Sequence, residues 1–357
     1  MAIELEKTPS LYLPFDVVEI ILLKLPSVKS LLRFKTVCKS WNTMISDHVF
    51  VRKHLEKSKN SPNNNNLFLS TYKSSIQRFS WFKFEGQRFH AERVEENIHY
   101  IYDVILCECN GVLLLKEPRR YTRKYALWNP TTRNVMYFEG PPTFRRDELV
   151  HDYGVCYDAI TDDFKVVFVY EMKYAIYSCN NRSWKEKKTR LEIANYGSHA
   201  GIFVDEAIYW VSKTGQILVV YFDPTTDELK TLQKPEVLNG DETSTIRISS
   251  LRGSLYLYCD DRDENTVRIW IKEKGVFENC WNEYITIENL MSRSKWWLQP
   301  LCFVGNEILI RLDGKRFVYY SPSEKTFEEF EEIGIYGCEI VPYTSSLYFP
   351  QASYLDI

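Results

Sequence analysis

The stretch Leu127–Phe138, LWNPTTRNVMYF, decides the fold because it returns along the chain in altered form. Its relatives are YFDPTTDELKTL at 221–232 and YYSPSEKTFEEF at 319–330. The copies keep an aromatic residue, a polar turn and an apolar continuation, whereas Asn129 is replaced by Asp223 or Ser321. Copies of one reaction site would keep their polar residues. We therefore interpret the stretch as a hairpin turn between two strands, with Trp128 in a core.

This motif returns at a nearly constant spacing. Five copies align at the turn, and the steps between neighbouring copies are 49, 45, 48 and 50 residues. The aligned positions are Pro130, Cys179, Pro224, Lys272 and Pro322, and the aromatic residues two places earlier are Trp128, Tyr177, Phe222, Trp270 and Tyr320. A weaker sixth copy is FKFEGQRF at 82–89. A second turn repeats in phase about 19 residues earlier, at Gly111, Asp205-Glu206, Gly253 and, slightly nearer, Gly305.

A period of 40–50 residues made of short strands and turns is typical of a β-propeller of WD40 or kelch type. Five clear copies and one weak copy predict six blades. We expect the ring to close by pairing NLFLSTY, near residue 70, with CEIVPYTSSLYF near the C terminus. Such closure removes exposed sheet edges. A β-sandwich is the alternative, but it does not require this period.

Length and charge limit the function. A chain of 357 residues suggests about two domains, and a net charge of −3 predicts no general attraction to nucleic acid or to a membrane. The N terminus lacks a signal peptide, and the longest apolar run, VVEIILLKL, is too short to span a bilayer. Nine scattered cysteines indicate reduced thiols rather than disulfides. We predict a soluble protein of the cytoplasm, the nucleus or both.

The chain changes character near residue 60, at the polar segment SKNSPNNNN. Before it, apolar residues recur at helical spacing and predict three short helices. The first, DVVEIILLKL, is apolar around nearly its whole circumference, more than a segment of about 45 residues can enclose. Either the second domain covers part of it, or it docks onto the helices of a partner. The pattern leaves both alternatives open.

The run Leu13–Leu55 closely resembles an F-box, the adaptor-binding module of SCF-type ubiquitin ligases. The resemblance rests on Leu13-Pro14, Ile20, Leu25-Pro26, the SLLRF of the second helix, Val37, Cys38, Lys39, Trp41, Ile45 and Phe50. It implies binding to a Skp-type adaptor and, through it, to cullin. The residues that it assigns to this contact are Leu13, Pro14, Ile20, Leu25, Pro26, Leu31, Leu32, Val37, Cys38 and Trp41. Some of them must instead hold the three helices together.

The rest of the chain resembles the F-box-associated domain of plant F-box proteins, related to the F-box/kelch and S-locus F-box proteins. The matching segments are LWNPTTR, GVCYDAITDDFKVVFVY, GIFVDEAIYWV and FDPTTDELKTL. The expected architecture is an α+β multidomain chain: a three-helix F-box at 10–56, a linker at 57–66, and an all-β, kelch-like six-bladed propeller at 67–357. The resemblance implies a substrate-recognition subunit whose propeller holds a protein target for ubiquitination and degradation. An adaptor-bound scaffold or regulator is the alternative.

A propeller enzyme is the third hypothesis, and the motifs argue against it. No histidine pair in the propeller has metal-ligand spacing, and the CEC of Cys107 and Cys109 lacks a second pair to complete a zinc site. Nucleophile elbows, phosphate-binding loops and dinucleotide fingerprints are absent from the sequence. We predict a non-catalytic receptor with no catalytic residue, no metal and no cofactor.

Two long loops are candidate target-binding segments, because propellers bind partners through loops at one end. They are KEPRRYTRKY at 116–125 and GPPTFRRDEL at 140–149. Arginine and aromatic residues are common interface anchors. The predicted residues are Arg119, Arg120, Tyr121, Arg123, Phe144, Arg145 and Arg146. A solvated charged surface is the alternative interpretation.

Overall fold

The computed structural model describes residues 13–25, 27–59, 66–71, 79–85, 88–94, 96–118, 123–143, 150, 152–170, 172–191, 199–212, 218–233, 235, 238, 245–261, 264–276, 281–290, 298–314, 316–329 and 338–350. Helices come first, at α1 Phe15–Leu23, α2 Val28–Phe34, α3 Lys39–Ser46 and α4 His48–Lys59. The three predicted helices are therefore followed by a fourth. Asp47 starts α4, because its Oδ1 accepts the backbone N–H groups of Val49 at 2.9 Å and Phe50 at 3.3 Å.

Six antiparallel sheets follow the helices, and each is one blade. Blade 1 contains β1 Asn66–Thr71, β2 Phe79–Glu85, β3 Arg88–Arg93 and β25 Cys338–Tyr343; blade 2 contains β4 Val104–Cys109, β5 Val112–Lys116, β6 Lys124–Asn129 and β7 Asn134–Glu139. Blade 3 contains β8 Asp152–Asp158, β9 Asp163–Tyr170, β10 Lys173–Ser178 and β11 Ser183–Lys188, with the short β12 His199–Ala200 parallel to β8. Blade 4 contains β13 Ile202–Val204, β14 Ala207–Ser212, β15 Leu218–Asp223 and β16 Glu228–Leu232; blade 5 contains β17 Thr245–Leu251, β18 Ser254–Asp261, β19 Thr266–Lys272 and β20 Trp281–Glu288. Blade 6 contains β21 Leu298–Val304, β22 Glu307–Leu312, β23 Arg316–Ser321 and β24 Thr326–Glu329.

The blades form a closed ring, as the repeat period predicts. The innermost strands β4, β8, β13, β17, β21 and β25 each contact the next around the circle, and β25 contacts β4. Strand β1 pairs with β25 from Asn66 opposite Tyr343 to Thr71 opposite Cys338. The predicted closure between the start and the end of the propeller is therefore confirmed, and the six-bladed propeller replaces the β-sandwich alternative.

The repeated motif is the turn between the third and fourth strands of a blade. In blade 2, Trp128 near the end of β6 is fully buried, and the polar turn leads into β7. The second repeated feature is the turn between the first and second strands. There Asn110 and Gly111 both adopt positive φ, 51° and 83°, which matches the tight hairpin geometry that glycine and asparagine favour. Both repeated features therefore serve the architecture.

The two ends of each blade face opposite sides of the ring. One side, the helix-bearing face, carries the turns between first and second and between third and fourth strands, including Asn110 and Asp162. The other side, the distal face, carries the turns between second and third strands and the connections between blades, including Arg123 and Met172.

Helix α4 packs on the helix-bearing face. Val51 and Leu55 are buried in one cluster with Leu127 of blade 2 and Tyr348 of the C-terminal segment. Lys59 Nζ donates a hydrogen bond to Asn110 Oδ1 at 2.7 Å. Helix α4 therefore belongs to both domains, and it fixes the helices relative to the propeller. It also spans residue 56, the predicted end of the first domain, and residues 60–65 of the predicted linker lie outside the described residues.

The segment 344–350 follows the closing strand and is tied down by Asn129. The Asn129 Nδ2 donates to the carbonyls of Ser346 at 3.1 Å and Tyr348 at 2.7 Å. Its Oδ1 accepts the backbone N–H groups of Thr131 and Thr132. Leu347, which lies between Ser346 and Tyr348, packs against both the helical core and the cluster around α4. The segment is therefore a strap between the helices and the propeller.

Close approach at Gly111 fixes the strap from the other side. A Cβ atom at Gly111 would lie 2.5 Å from Ser346 Oγ and 2.7 Å from the Thr344 carbonyl oxygen. The Tyr343 hydroxyl also donates to the Gly111 carbonyl at 2.9 Å. Glycine is therefore required here for space as well as for its positive φ.

Glu108 lies at the same junction, in β4. Its Oε1 accepts the Gly111 N–H at 2.6 Å. Burial raises the pKa of the Glu108 carboxyl to about 7, although this hydrogen bond and the Lys59 charge act in the opposite direction. Below about pH 7, the folded protein therefore holds the Glu108 carboxyl mainly in its neutral form.

Substituting Asn129→Ala should lower the free energy of unfolding by about 2–3 kcal/mol, because buried donors and acceptors of the strap and turn lose their partner. Urea denaturation measures the effect. Ser321→Ala is the matched control, since Ser321 occupies the same turn position in blade 6 and its Oγ lies 3.2 Å from the exposed Ser323 hydroxyl. Equal losses in the two variants would contradict the role of Asn129.

Substituting Glu108→Gln should remove a pH-dependent loss of stability. Because the folded-state pKa lies above the unfolded value, ionisation destabilises the wild type progressively as pH rises from about 4.5 to about 7. The variant should melt at a higher temperature than wild type at pH 8 and at a similar temperature at pH 5. The exposed Glu186→Gln is the control. A difference between wild type and Glu108→Gln that is the same at both pH values would refute this.

Candidate functional site

Helix α1 carries two apolar faces. Val18 and Leu22 are buried in the helical core, together with Leu31, Met44 and Ile45. The other face points to solvent, and its side chains are 39–58% exposed. We call the exposed apolar residues of α1, together with Leu13 two residues before the helix begins, the α1 surface. It comprises Leu13, Phe15, Val17, Ile20 and Ile21.

The propeller does not cover the α1 surface in the intact chain. Its contacts with the helices include α4, the strap and an ion pair at 3.5 Å between Lys29 of α2 and Glu92 of β3. Of the two alternatives that the sequence leaves open for the first helix, coverage by the second domain does not apply to these exposed residues, and docking onto a partner stays a prediction. Contiguous apolar side chains on one exposed helix mark a protein interface, whereas isolated ones do not.

The predicted adaptor-contact residues divide by exposure. Leu13, Pro14, Ile20, Val37 and Cys38 are exposed; Leu25, Leu32 and Trp41 are partly buried; Pro26 lies outside the described residues. Leu31 is fully buried among the helices, so its assignment to the contact surface is corrected: its side chain stabilises the helical core. The contact role of the exposed residues remains a prediction.

Partly buried members of the set are held by neighbours within the helices. The Trp41 ring meets the Phe34 ring edge-on, with centroids 5.4 Å apart. The carbonyl of Leu25 accepts the Nε2–H of His54 at 3.0 Å, and burial lowers the pKa of His54, which favours its neutral form. The turn before α2 is thereby anchored to α4, the helix that joins the propeller.

Three members of the α1 surface escaped the sequence assignment: Phe15, Val17 and Ile21. The signal was available, because Leu13, Val17, Ile20 and Ile21 follow a helical spacing on one side of the helix, and Val18 and Leu22 follow it on another. A helix with two separate apolar stripes contacts two different partners.

On the propeller, both candidate target-binding loops leave from the distal face. One connects Lys116 of β5 to Lys124 of β6, and the other follows Glu139 of β7. The residues Arg119, Arg120, Tyr121, Phe144, Arg145 and Arg146 lie outside the described residues. The two loops therefore start on the side of the ring away from the helices.

Arg123 is described, and its contacts are within the chain. Its guanidinium donates to the carbonyls of Gly140 at 3.0 Å and Pro141 at 2.9 Å, and the Arg123 carbonyl accepts the Gly140 N–H at 2.7 Å. Arg123 thus joins the bases of the two loops. These contacts position the two loops, and the predicted role of Arg123 as a target contact stays a prediction.

The described residues offer no obvious reactive centre. Cys107 and Cys109 are buried, and burial raises the pKa of both thiols, which keeps them protonated. Within the ranges that the structure describes, no group of three or more His, Cys, Asp and Glu side chains is arranged to hold a metal ion. None of the helices in the described part of the chain is long and apolar enough to cross a lipid bilayer.

Comparison with known proteins gives two family matches. Residues 11–56 match the F-box-like family, and residues 55–344 match the F-box associated beta propeller domain. The F-box/kelch-repeat protein At3g23880 of Arabidopsis thaliana is 27% identical, over 91% of this chain and 92% of its own. A second Arabidopsis thaliana relative, the putative F-box/kelch-repeat protein At1g12870, is 24% identical over 79% of this chain and 72% of its own.

A solved structure of a Lactobacillus plantarum protein aligns with a TM-score of 0.43 and 10% identity, covering 75% of this chain and 95% of that one. The likeness is too remote to bear on function. The family matches cover both domains, and the propeller match alone spans most of the chain. The chain therefore belongs to the F-box proteins that carry an F-box-associated β-propeller domain.

Proposed function

We propose that the protein is the substrate-recognition subunit of an SCF-type ubiquitin ligase. The α1 surface binds a Skp-type adaptor and, through it, cullin, while the propeller binds a target protein for ubiquitination and degradation. The observation that carries the proposal is the exposed apolar stripe of Leu13, Val17 and Ile20 on a helix whose other stripe is already buried. An amphipathic helix of this kind binds by placing such residues in an apolar groove.

The position of the helices supports a receptor role. Helix α4 and the strap hold the F-box against the helix-bearing face, so the distal face stays open for a target. The two predicted target-binding loops start on that open side. The chain then acts as a non-catalytic receptor, because it brings the target to the ligase and supplies no reacting group.

The variant Val17→Asp/Ile20→Asp should weaken binding to a Skp-type adaptor by at least about 100-fold, since each buried interface anchor contributes about 2 kcal/mol or more. Isothermal titration calorimetry with the purified adaptor measures the loss. Both side chains are exposed in the free protein, so the melting temperature should be nearly unchanged. Val49→Asp is the matched control, because Val49 is equally exposed but lies on α4. Adaptor binding by the double variant at wild-type affinity would overturn the assignment.

The fate of bound proteins separates a degradation receptor from a scaffold. Affinity purification under proteasome inhibition should recover the same target with wild-type chain and with Val17→Asp/Ile20→Asp, because the propeller is intact in both. Only the wild type should promote ubiquitination of that target and lower its level once the inhibitor is removed. A target whose level is the same with both chains would favour the scaffold.

A further inference from the structure

The distal end of blade 3 carries three exposed cations close together in the fold. Lys173 begins β10 and Lys188 ends β11, and the two residues are directly opposite each other in the strand register. Arg190 follows two residues later and is also exposed. The Thr189 N–H donates to the Met172 carbonyl at 2.9 Å, which holds the chain after Lys188 against the turn before Lys173.

Ion pairs within the described residues leave these charges without a counter-ion; the flanking Glu171 and Glu192 lie outside the described residues. Among the described residues, none of the three forms an ion pair, and the Lys173 ammonium lies 5.9 Å from the centre of the Tyr170 ring. Like charges directly opposite each other on adjacent strands destabilise a sheet. Because the whole chain has a net charge of −3, this concentration of positive charge is local.

Charged residues elsewhere on the distal face bear on which partner the three cations attract. The neighbouring loop of blade 2, at 116–125, has five Lys and Arg residues and one Glu in its sequence. On blade 5, the distal turn carries Asp260, Asp261 and Glu264, but Asp260 pairs with Arg247 and Glu264 pairs with Arg268. The acidic groups of blade 5 thus have partners of their own, whereas the cations of blade 3 have no counter-ion among the described residues and attract an acidic partner.

The nearest exposed apolar group is Met172, which is 47% exposed in the turn between β9 and β10. A flexible thioether accommodates varied apolar side chains. Single-stranded nucleic acid is instead bound by aromatic rings that stack on bases, and Tyr170 beside the cluster is buried. The chemistry thus fits a peptide better than an oligonucleotide.

We propose that Lys173, Lys188 and Arg190 form a docking site for an acidic protein segment, with Met172 receiving an apolar side chain of that segment. The inference rests on the proposed function in one respect, since the segment then belongs to the target. The recognised segment is then a carboxylate-rich peptide, and blade 3 binds it.

The variant Lys188→Glu in the full chain tests the site, because it should raise the melting temperature and lower the affinity for an acidic peptide. It replaces a like-charged pair by an attractive Lys173–Glu pair, so the melting temperature should rise by about 1 °C. It should also weaken binding of a fluorescein-labelled 12-residue peptide, three repeats of Glu-Asp-Leu-Glu, by about tenfold at 50 mM NaCl. Fluorescence anisotropy measures the affinity. A purely structural role for Lys188 would not couple higher stability to weaker binding.

Lys325→Glu is the matched control, because Lys325 is an exposed turn lysine of blade 6 on the helix-bearing face. It should bind the acidic peptide as the wild type does. Equal binding by Lys188→Glu and wild type, equal losses in both variants, or tighter binding of a single-stranded oligonucleotide that depends on Lys188 would each overturn the proposal. Adaptor affinity is measured in parallel. If the wild-type chain does not bind the adaptor but binds the acidic peptide, the ligase role is overturned and the acidic docking site is not.

Discussion

The antiparallel pairing of β1 with β25 is the contact on which the other features depend. It joins residues 66–71 to residues 338–343, so the ring closes through strands from the two ends of the propeller. Closing so long a loop costs conformational entropy, and the cost grows only slowly with length. Packing between blades offsets that cost, since a closed ring leaves no blade with an unpacked face. The same pairing also brings two functional pieces together: β1 begins soon after α4, and the strap follows β25 directly.

The junction that results makes one body of two domains. Helix α4 contributes Val51 and Leu55 to the propeller cluster, and Leu347 of the strap packs into both cores. The N-terminal helices and the distal face are thereby held on opposite sides of the ring. In the proposed receptor role this separation has a physical use, because a target on the distal face does not compete for space with the adaptor.

The repeat could be read from the sequence because every blade solves the same packing problem. An aromatic residue such as Trp128 or Phe222 fills the space between neighbouring blades, and the turn after it must leave the sheet at the same point. The F-box resemblance likewise located the helices. What could not be read were contacts between residues far apart in sequence. Leu31 and Ile20 are both apolar helix positions, and only the fold shows that the first is buried and the second exposed. Arg123 has the composition of an interface anchor, yet the carbonyls that engage it lie 17 and 18 residues further on.

The polar residues that vary among the turns show how a repeat acquires separate roles. Asn129 anchors the strap, while Asp223 at the same position accepts hydrogen bonds from Thr225 and Lys230 within its own blade. Between blades 3 and 4, the Lys165 ammonium bridges Asp158 and Asp227 at 2.9 and 2.8 Å. These partners lie at turns of the helix-bearing face, so the polar groups named here have counterparts within the chain. On the distal face of blade 3 the opposite holds, since Lys173 and Lys188 face each other without a counter-ion among the described residues. A like-charged pair that destabilises the free fold, and that has no counter-ion among the described residues, fits the proposed docking of an acidic partner. The distal face of blade 3 is therefore where target specificity is expected to reside.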